Sequence, residues 1–190
     1  MRLTLIALAA SALLASCASM SDRECRSGNW REVGRADGAK GLPAGGELPK
    51  HRKACSDHGV TPDLAAYRTG HAEGLASYCT PSSGYVAARR GELYREVCPA
   101  GSVQFLEAFR RGRQVSLLLQ ETRDLRRRID EAQLSAMSDE SSPEDRTNLR
   151  FRSEELELRL RQSERDLERL DRRYAKAFGA PELSYAELRD

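Results

Sequence analysis

From Val103 onward the apolar positions alternate spacings of three and four. Val115, Leu118, Thr122, Leu125, Ile129, Ala132 and Ala136 form one row. Leu149, Ser153, Leu156, Leu160, Ser163, Leu167, Leu170, Tyr174 and Ala177 form a second. Both rows are heptad seams. Between them lies the polar break Ser138-Asp139-Glu140-Ser141-Ser142-Pro143. Ser142 suits a helix cap, Pro143 a first turn, and Glu144 and Asp145 the positive end of the helix dipole. The two rows mirror each other: Ala136 with Leu149, Ala132 with Ser153, Ile129 with Leu156, Leu125 with Leu160, Thr122 with Ser163, Leu118 with Leu167 and Val115 with Leu170 all add to 285. A chain folded back near Pro143 requires that symmetry. The pattern predicts an antiparallel hairpin over 103–178 with arms of roughly 50 Å. It also predicts a polar layer at Thr122 and Ser163, a thin one at Ala132 and Ser153, and Arg111 opposite Tyr174. Leu117, Leu119, Phe151 and Leu158 fall off the seam and call for cover from the rest of the chain or from a partner.

The first half reads as short helices punctuated by glycine. Asn29 can cap a helix beginning at Trp30, which Asp37-Gly38 and Gly41 should break. A second helix is expected from Glu47 to His58, with Gly59 just past its end. Thr61 as cap, Pro62 and Asp63 begin a third helix, continuing to about Cys79. Leu64, Tyr67, His71, Leu75 and Tyr78 mark one of its faces. Gly70 and Gly74 each cost that helix about 1 kcal/mol against alanine, which close approach of another backbone would offset. Thr80 to Gly84 reads as a turn, and Tyr85 to Cys98 fits either a helix or a stapled loop. The stretch Ala66 to His71 is echoed by Ala108 to Arg113, and more loosely by Trp30 to Arg35, suggesting a reused aromatic-plus-glycine helix contact.

The N-terminus adds an address. Arg2 precedes a charge-free run from Leu3 to Ser16, short for a membrane span but suited to the apolar core of a secretory leader. The run ends in Leu14-Ala15-Ser16-Cys17, which resembles the bacterial lipobox. That resemblance implies removal of residues 1–16 and lipid on Cys17. Residues 17–24 would then be a short tether, spanning roughly 25 Å from Ala18 to Glu24 if fully extended. Ala18, in place of aspartate, resembles sorting to the inner leaflet of the outer membrane, with the domain facing the periplasm.

Of five cysteines, removing Cys17 leaves four, all before residue 99. An even number in an oxidising compartment suggests two disulfides. Three pairings are possible. Cys25–Cys55 and Cys79–Cys98 are favoured because each closes a local loop, worth roughly 3 kcal/mol. The expected organisation is a disulfide-bonded helical module at 25–102, the hairpin at 103–178 and a tail at 179–190. The expected fold is all-α, a small disulfide-stapled module followed by a long antiparallel coiled-coil hairpin. A net charge of +2, with 12 basic and 10 acidic residues over 18–102 against 18 and 19 beyond, argues against a nucleic-acid partner.

The order of signposts Cys25, Trp30, Gly34, Asp37-Gly38, Gly41, His51, Cys55, Gly59-Val60, Pro62-Asp63, Tyr67, Gly70, Gly74-Leu75, Tyr78-Cys79, Gly91, Tyr94, Val97-Cys98-Pro99, Phe105-Leu106 and Gly112 resembles a domain-of-unknown-function family of small lipoproteins from Gram-negative bacteria. The resemblance covers roughly Asp22 to Leu119. It implies an envelope location and a helical, disulfide-bonded fold, and it brings no activity, cofactor or catalytic residue.

Candidate chemistry is sparse. His51, Cys55 and His58 have workable metal-ligand spacing, but oxidation of Cys55 and the helix-end place of His58 explain them without a metal. Asp37-Gly38 reads as a turn, Asp63 as a helix-start residue and His71 as a packed core residue. No catalytic residue, metal or cofactor is assigned. The expectation is a non-enzymatic structural or adaptor protein whose hairpin meets an envelope protein or a second copy. The alternative is small-ligand binding or hydrolysis in the first module. It requires Trp30, Asp37, His51 and His71 to meet in one cleft.

Overall fold

The computed structural model describes residues 19–184 and Glu187. The expected leader and the expected lipidation site Cys17 lie outside the described residues. Among those described there are seven α-helices and no strand. The chain divides into two compact units, Met1–Tyr78 with Arg95–Cys98, and Cys79–Tyr94 with Pro99–Asp190. The division falls at Cys79 rather than after Ser102. The reason is that Pro81–Arg89, expected to begin as a turn, is a helix packed on the hairpin.

The N-terminal unit contains α1 (Asp22–Ser27), α2 (Trp30–Ala39), α3 (Ala44–Cys55) with a 3-10 turn at Ser56–His58, and α4 (Leu64–Tyr78). Ser21 and Glu24 form a reciprocal capping box on α1. Asn29 caps α2 as expected, but α2 runs through Asp37-Gly38 instead of breaking there. Gly38 stays helical because it lies against the α4 backbone, where an added Cβ would come 2.9 Å from Leu75 N. The cap of α4 is Asp63, not Thr61: its Oδ1 accepts from the amides of Ala65 and Ala66, both at 3.0 Å.

Helices α2 and α4 cross on four glycines. Gly34 and Gly38 face the carbonyls of Tyr67 and His71, while Gly70 and Gly74 face those of Arg31 and Arg35. Each acceptor carbonyl lies three residues before a glycine of its own helix, so the contact is reciprocal. Only glycine permits backbones this close. Beside the crossing, Met20, Cys25, Trp30, Cys55 and Tyr67 form the buried cluster. Cys25 is bonded to Cys55, and Cys79 and Cys98 are also disulfide-bonded.

The hairpin unit contains α5 (Pro81–Arg89), α6 (Val103–Met137) and α7 (Pro143–Phe178). Ser142 caps α7, with Pro143 in its first turn and Gly179 closing it in the left-handed region. Leu125, Ile129 and Leu156 form one buried cluster with Leu160 against it, in the expected register. Arg111 lies over the Tyr174 ring at 5.6 Å. Nearer the base the buried face turns. Asp171 and Ala175 are buried, whereas Ala177 is exposed. Leu119, expected off the seam, is buried in a cluster that Tyr85 of α5 completes. A third helix here replaces the two-helix seam. The glycine contact recurs: an added Cβ at Gly112 would meet Ala88 at 2.8 Å, and one at Gly84 would meet Phe105 O at 2.9 Å.

The expected polar layer is present, with Thr122 fully buried and Ser163 nearly so. Thr122 Oγ1 donates to Leu119 O at 2.9 Å, and Ser163 Oγ has no partner. A buried hydroxyl without a partner costs about 1–3 kcal/mol. Ser163→Ala should therefore stabilise the hairpin by about 1 kcal/mol. Urea midpoints followed by far-UV circular dichroism would check this.

Candidate functional site

The N-terminal unit buries one carboxylate at its centre. Asp37, on the last turn of α2, accepts on Oδ2 from Tyr67 OH at 2.7 Å and from His51 Nε2 at 2.8 Å. A carboxylate only accepts, so the His51 proton sits on Nε2. His51 Nδ1 lies 3.1 Å from Ser19 Oγ. His71 stacks on Tyr67, with ring centroids 6.0 Å apart, and its Nε2 donates to Leu42 O at 2.7 Å. Trp30 belongs to the same apolar cluster as Tyr67.

Trp30, Asp37, His51 and His71 thus all gather around Tyr67. They do so inside the core, each less than a tenth exposed. Asp37 is a hydrogen-bonded core carboxylate and not a turn residue. Burial by itself would raise the Asp37 carboxyl, but the hydrogen bonds from His51 and Tyr67 outweigh it and hold the group below the ordinary aspartate range. Burial, followed by the Asp37 carboxylate it donates to, pushes the Tyr67 phenol far above its usual value.

A carboxyl lowered in the folded state binds its proton more readily once unfolded. Its contribution to stability is present above the unfolded value and is lost as pH falls through the folded one. The N-terminal unit should therefore weaken as pH falls through and below the ordinary aspartate range. Asp37→Asn should cost about 2 kcal/mol at neutral pH and flatten that part of the acid profile. Trp30, the single tryptophan and nearly fully buried, supplies the fluorescence signal.

The segment just before α1 is part of this network. Ser19 touches His51, and Met20 is buried with its Sδ 3.9 Å from Cys55 Sγ. Within the short tether expected at 17–24, the described part is docked from Ser19 onward, where the buried His51 imidazole and the apolar cluster that includes Met20 hold it. His58 bonds Asp22 Oδ1 at 3.0 Å, and the Cys55 sulfur is bonded to Cys25. The His51, Cys55 and His58 side chains therefore each have other partners. Among the described residues no group of three or more His, Cys, Asp or Glu could hold a metal ion, and no helix is long and apolar enough to cross a membrane.

The hairpin unit buries a second carboxylate. Asp171 Oδ1 accepts from Tyr85 OH at 2.6 Å and Arg89 Nη1 at 2.7 Å, and Oδ2 accepts from Leu183 N at 2.6 Å. Arg89 Nη1 also donates to Pro181 O at 2.8 Å, and the guanidinium lies 5.3 Å from the Tyr85 ring centroid. Burial, then Asp171, pushes the Tyr85 phenol far above its usual value. Sequence reasoning missed this group. The one signal for it was an aspartate within one position of the hairpin seam.

A domain of the family DUF2799, described as protein of unknown function, is found at residues 29–114. It begins at the cap of α2 and ends within α6, so it takes in both glycine contacts, Asp37 and His51 but not the outer hairpin. No curated protein and no solved structure matches the chain.

Proposed function

We propose that this protein is a lipid-anchored, non-enzymatic structural or adaptor component of a Gram-negative envelope. In this reading Cys17 holds it to the inner leaflet of the outer membrane, facing the periplasm. The hairpin meets an envelope protein or a second copy. The observation that carries the reading is the outer face of the hairpin. Phe151 and Leu158, one heptad apart on α7, are 66 % and 62 % exposed, and Leu134 and Met137 on α6 are 67 % and 72 % exposed. Around them the charges are spent within the helices, as in Arg159 with Glu155 at 2.6 Å. Disulfides support an oxidising compartment. Only Ala18 separates Cys17 from the docked Ser19, which favours a body held close to the bilayer.

A photocrosslinker at Phe151 or Leu158 in intact cells should yield a covalent adduct, with mass spectrometry separating a second copy from another protein. In chemical crosslinking of whole envelopes, deleting 113–174 should remove the captured partners, and unchanged partners in that deletion would count against the reading. Labelled palmitate should enter the wild type and not Cys17→Ser.

A second reading, hydrolysis, rests on one line of groups: the Ser19 hydroxyl, the His51 imidazole and the Asp37 carboxylate. A fluorophosphonate probe that labels Ser19, and loses its target in His51→Gln, would favour it over the adaptor reading.

A further inference from the structure

The hairpin unit has a cavity of about 220 Å³ where the end of α5 meets one face of α6. The end of α5 contributes Arg89 and its C-cap Arg90, α6 contributes Ser116, Gln120 and Arg123 at helical spacing, and the C-terminal segment contributes Glu187. We propose that this cavity binds the phosphoryl group of a small ligand, in the place that Glu187 now borders.

Three observations point the same way. First, Arg89 is buried and its Nη1 is used by Asp171 and Pro181, yet its Nε has no partner. A buried N–H left open costs about 1–3 kcal/mol, which an acceptor oxygen in the cavity would recover. Second, the charges do not cancel. Asp171 matches Arg89, while among the described residues Arg90 and Arg123 form no ion pair. Glu187 is the acidic residue of the lining, and its carboxylate is held by Ser184, at 2.9 Å from the amide and 2.7 Å from the hydroxyl. With Glu187 swung out, two guanidinium charges remain, which a phosphoryl dianion neutralises and a carboxylate does not. Third, the volume lies below the roughly 300–1,000 Å³ typical of drug-sized ligands, so the occupant is small. Ser116, nearly fully buried, adds a hydroxyl to the wall. The low Glu187 pKa, set first by the Ser184 bonds and then helped by Arg89 and Arg90, agrees with a cavity of positive potential.

The test is titration calorimetry of the full chain with inorganic phosphate, with chloride adjusted to constant ionic strength. Acetate serves as the single-charge comparison. Phosphate should bind saturably and more tightly than acetate. Glu187→Gln should tighten phosphate binding roughly two- to fivefold, the range expected for a solvent-screened charge. Arg90→Gln and Arg123→Gln should each weaken it by a similar factor. Arg90 and Arg123 are exposed, so these variants should keep the wild-type far-UV spectrum. The proposal is overturned if neither wild type nor Glu187→Gln binds phosphate saturably. It is equally overturned if the Arg90→Gln/Arg123→Gln double variant binds like wild type.

Discussion

Gly70→Ala should unfold the N-terminal unit at a denaturant concentration well below that of wild type, with a loss of about 3 kcal/mol or more. A Cβ at this position would fall inside van der Waals contact of the Arg31 carbonyl, 2.7 Å from its carbon. The obstacle is backbone on both sides, so no rotamer relieves it. Helices α2 and α4 would have to move apart. That movement also loosens Gly34, Gly38 and Gly74, where an added Cβ would come 2.9, 2.9 and 2.6 Å from backbone atoms of the facing helix. Gly45→Ala provides the opposite expectation in the same unit. It lies within α3 with nothing within 4 Å of its added Cβ. Alanine there should stabilise by roughly 0.5–1 kcal/mol through the unfolded chain and helix propensity. Trp30 fluorescence in urea reads both variants. Equal midpoints for Gly70→Ala and wild type would show that the α2–α4 crossing has room for a methyl group.

The glycine crossing also marks how far the sequence could be read. Gly70 and Gly74 stood out because two glycines in one helix need a reason, and close backbone approach was the simplest. Of their partners, Gly34 showed only through the loose echo at Trp30 to Arg35, and Gly38 was hidden, since Asp37-Gly38 has the local chemistry of a turn. Only the facing helix keeps that pair helical. The same failure recurs at Pro81 to Gly84, where turn-forming residues begin α5 under a Thr80 cap. The hairpin was legible because its signal is internal: two periodic rows whose positions mirror each other, broken once by a cap and a proline. That legibility ends near the base, where α5 packs in and buries Leu119, Asp171 and Ala175 off the heptad. The candidate site was half legible. Trp30, Asp37, His51 and His71 were grouped by residue type, yet Tyr67, which they surround, read as a face residue and Ser19 as tether. Arg89 and Asp171 lie 82 positions apart among 60 charged residues, and composition offers nothing to single them out.

Asp171→Ala should cost the hairpin unit about 3–5 kcal/mol, the usual penalty for breaking one side of a buried ion pair. The Asp171 and Arg89 side chains are 4 % and 2 % exposed, so water cannot take over the missing contacts. The substitution leaves a buried guanidinium, the Tyr85 hydroxyl and the Leu183 amide without their acceptor at once. The C-terminal segment through Leu183 should lose its docking first, because its amide bond to Asp171 is the one made from outside a helix. Removing both charges separates cost from worth. In Arg89→Leu/Asp171→Leu the desolvation penalty disappears with the pair, so the double variant should be more stable than Asp171→Ala. Far-UV circular dichroism suits the measurement, since α6 and α7 supply 71 helical residues between them. Trp30 lies in the other unit and gives an independent signal. A double variant no more stable than Asp171→Ala would mean that the pair itself, rather than the stranded charge, holds the base of the hairpin together.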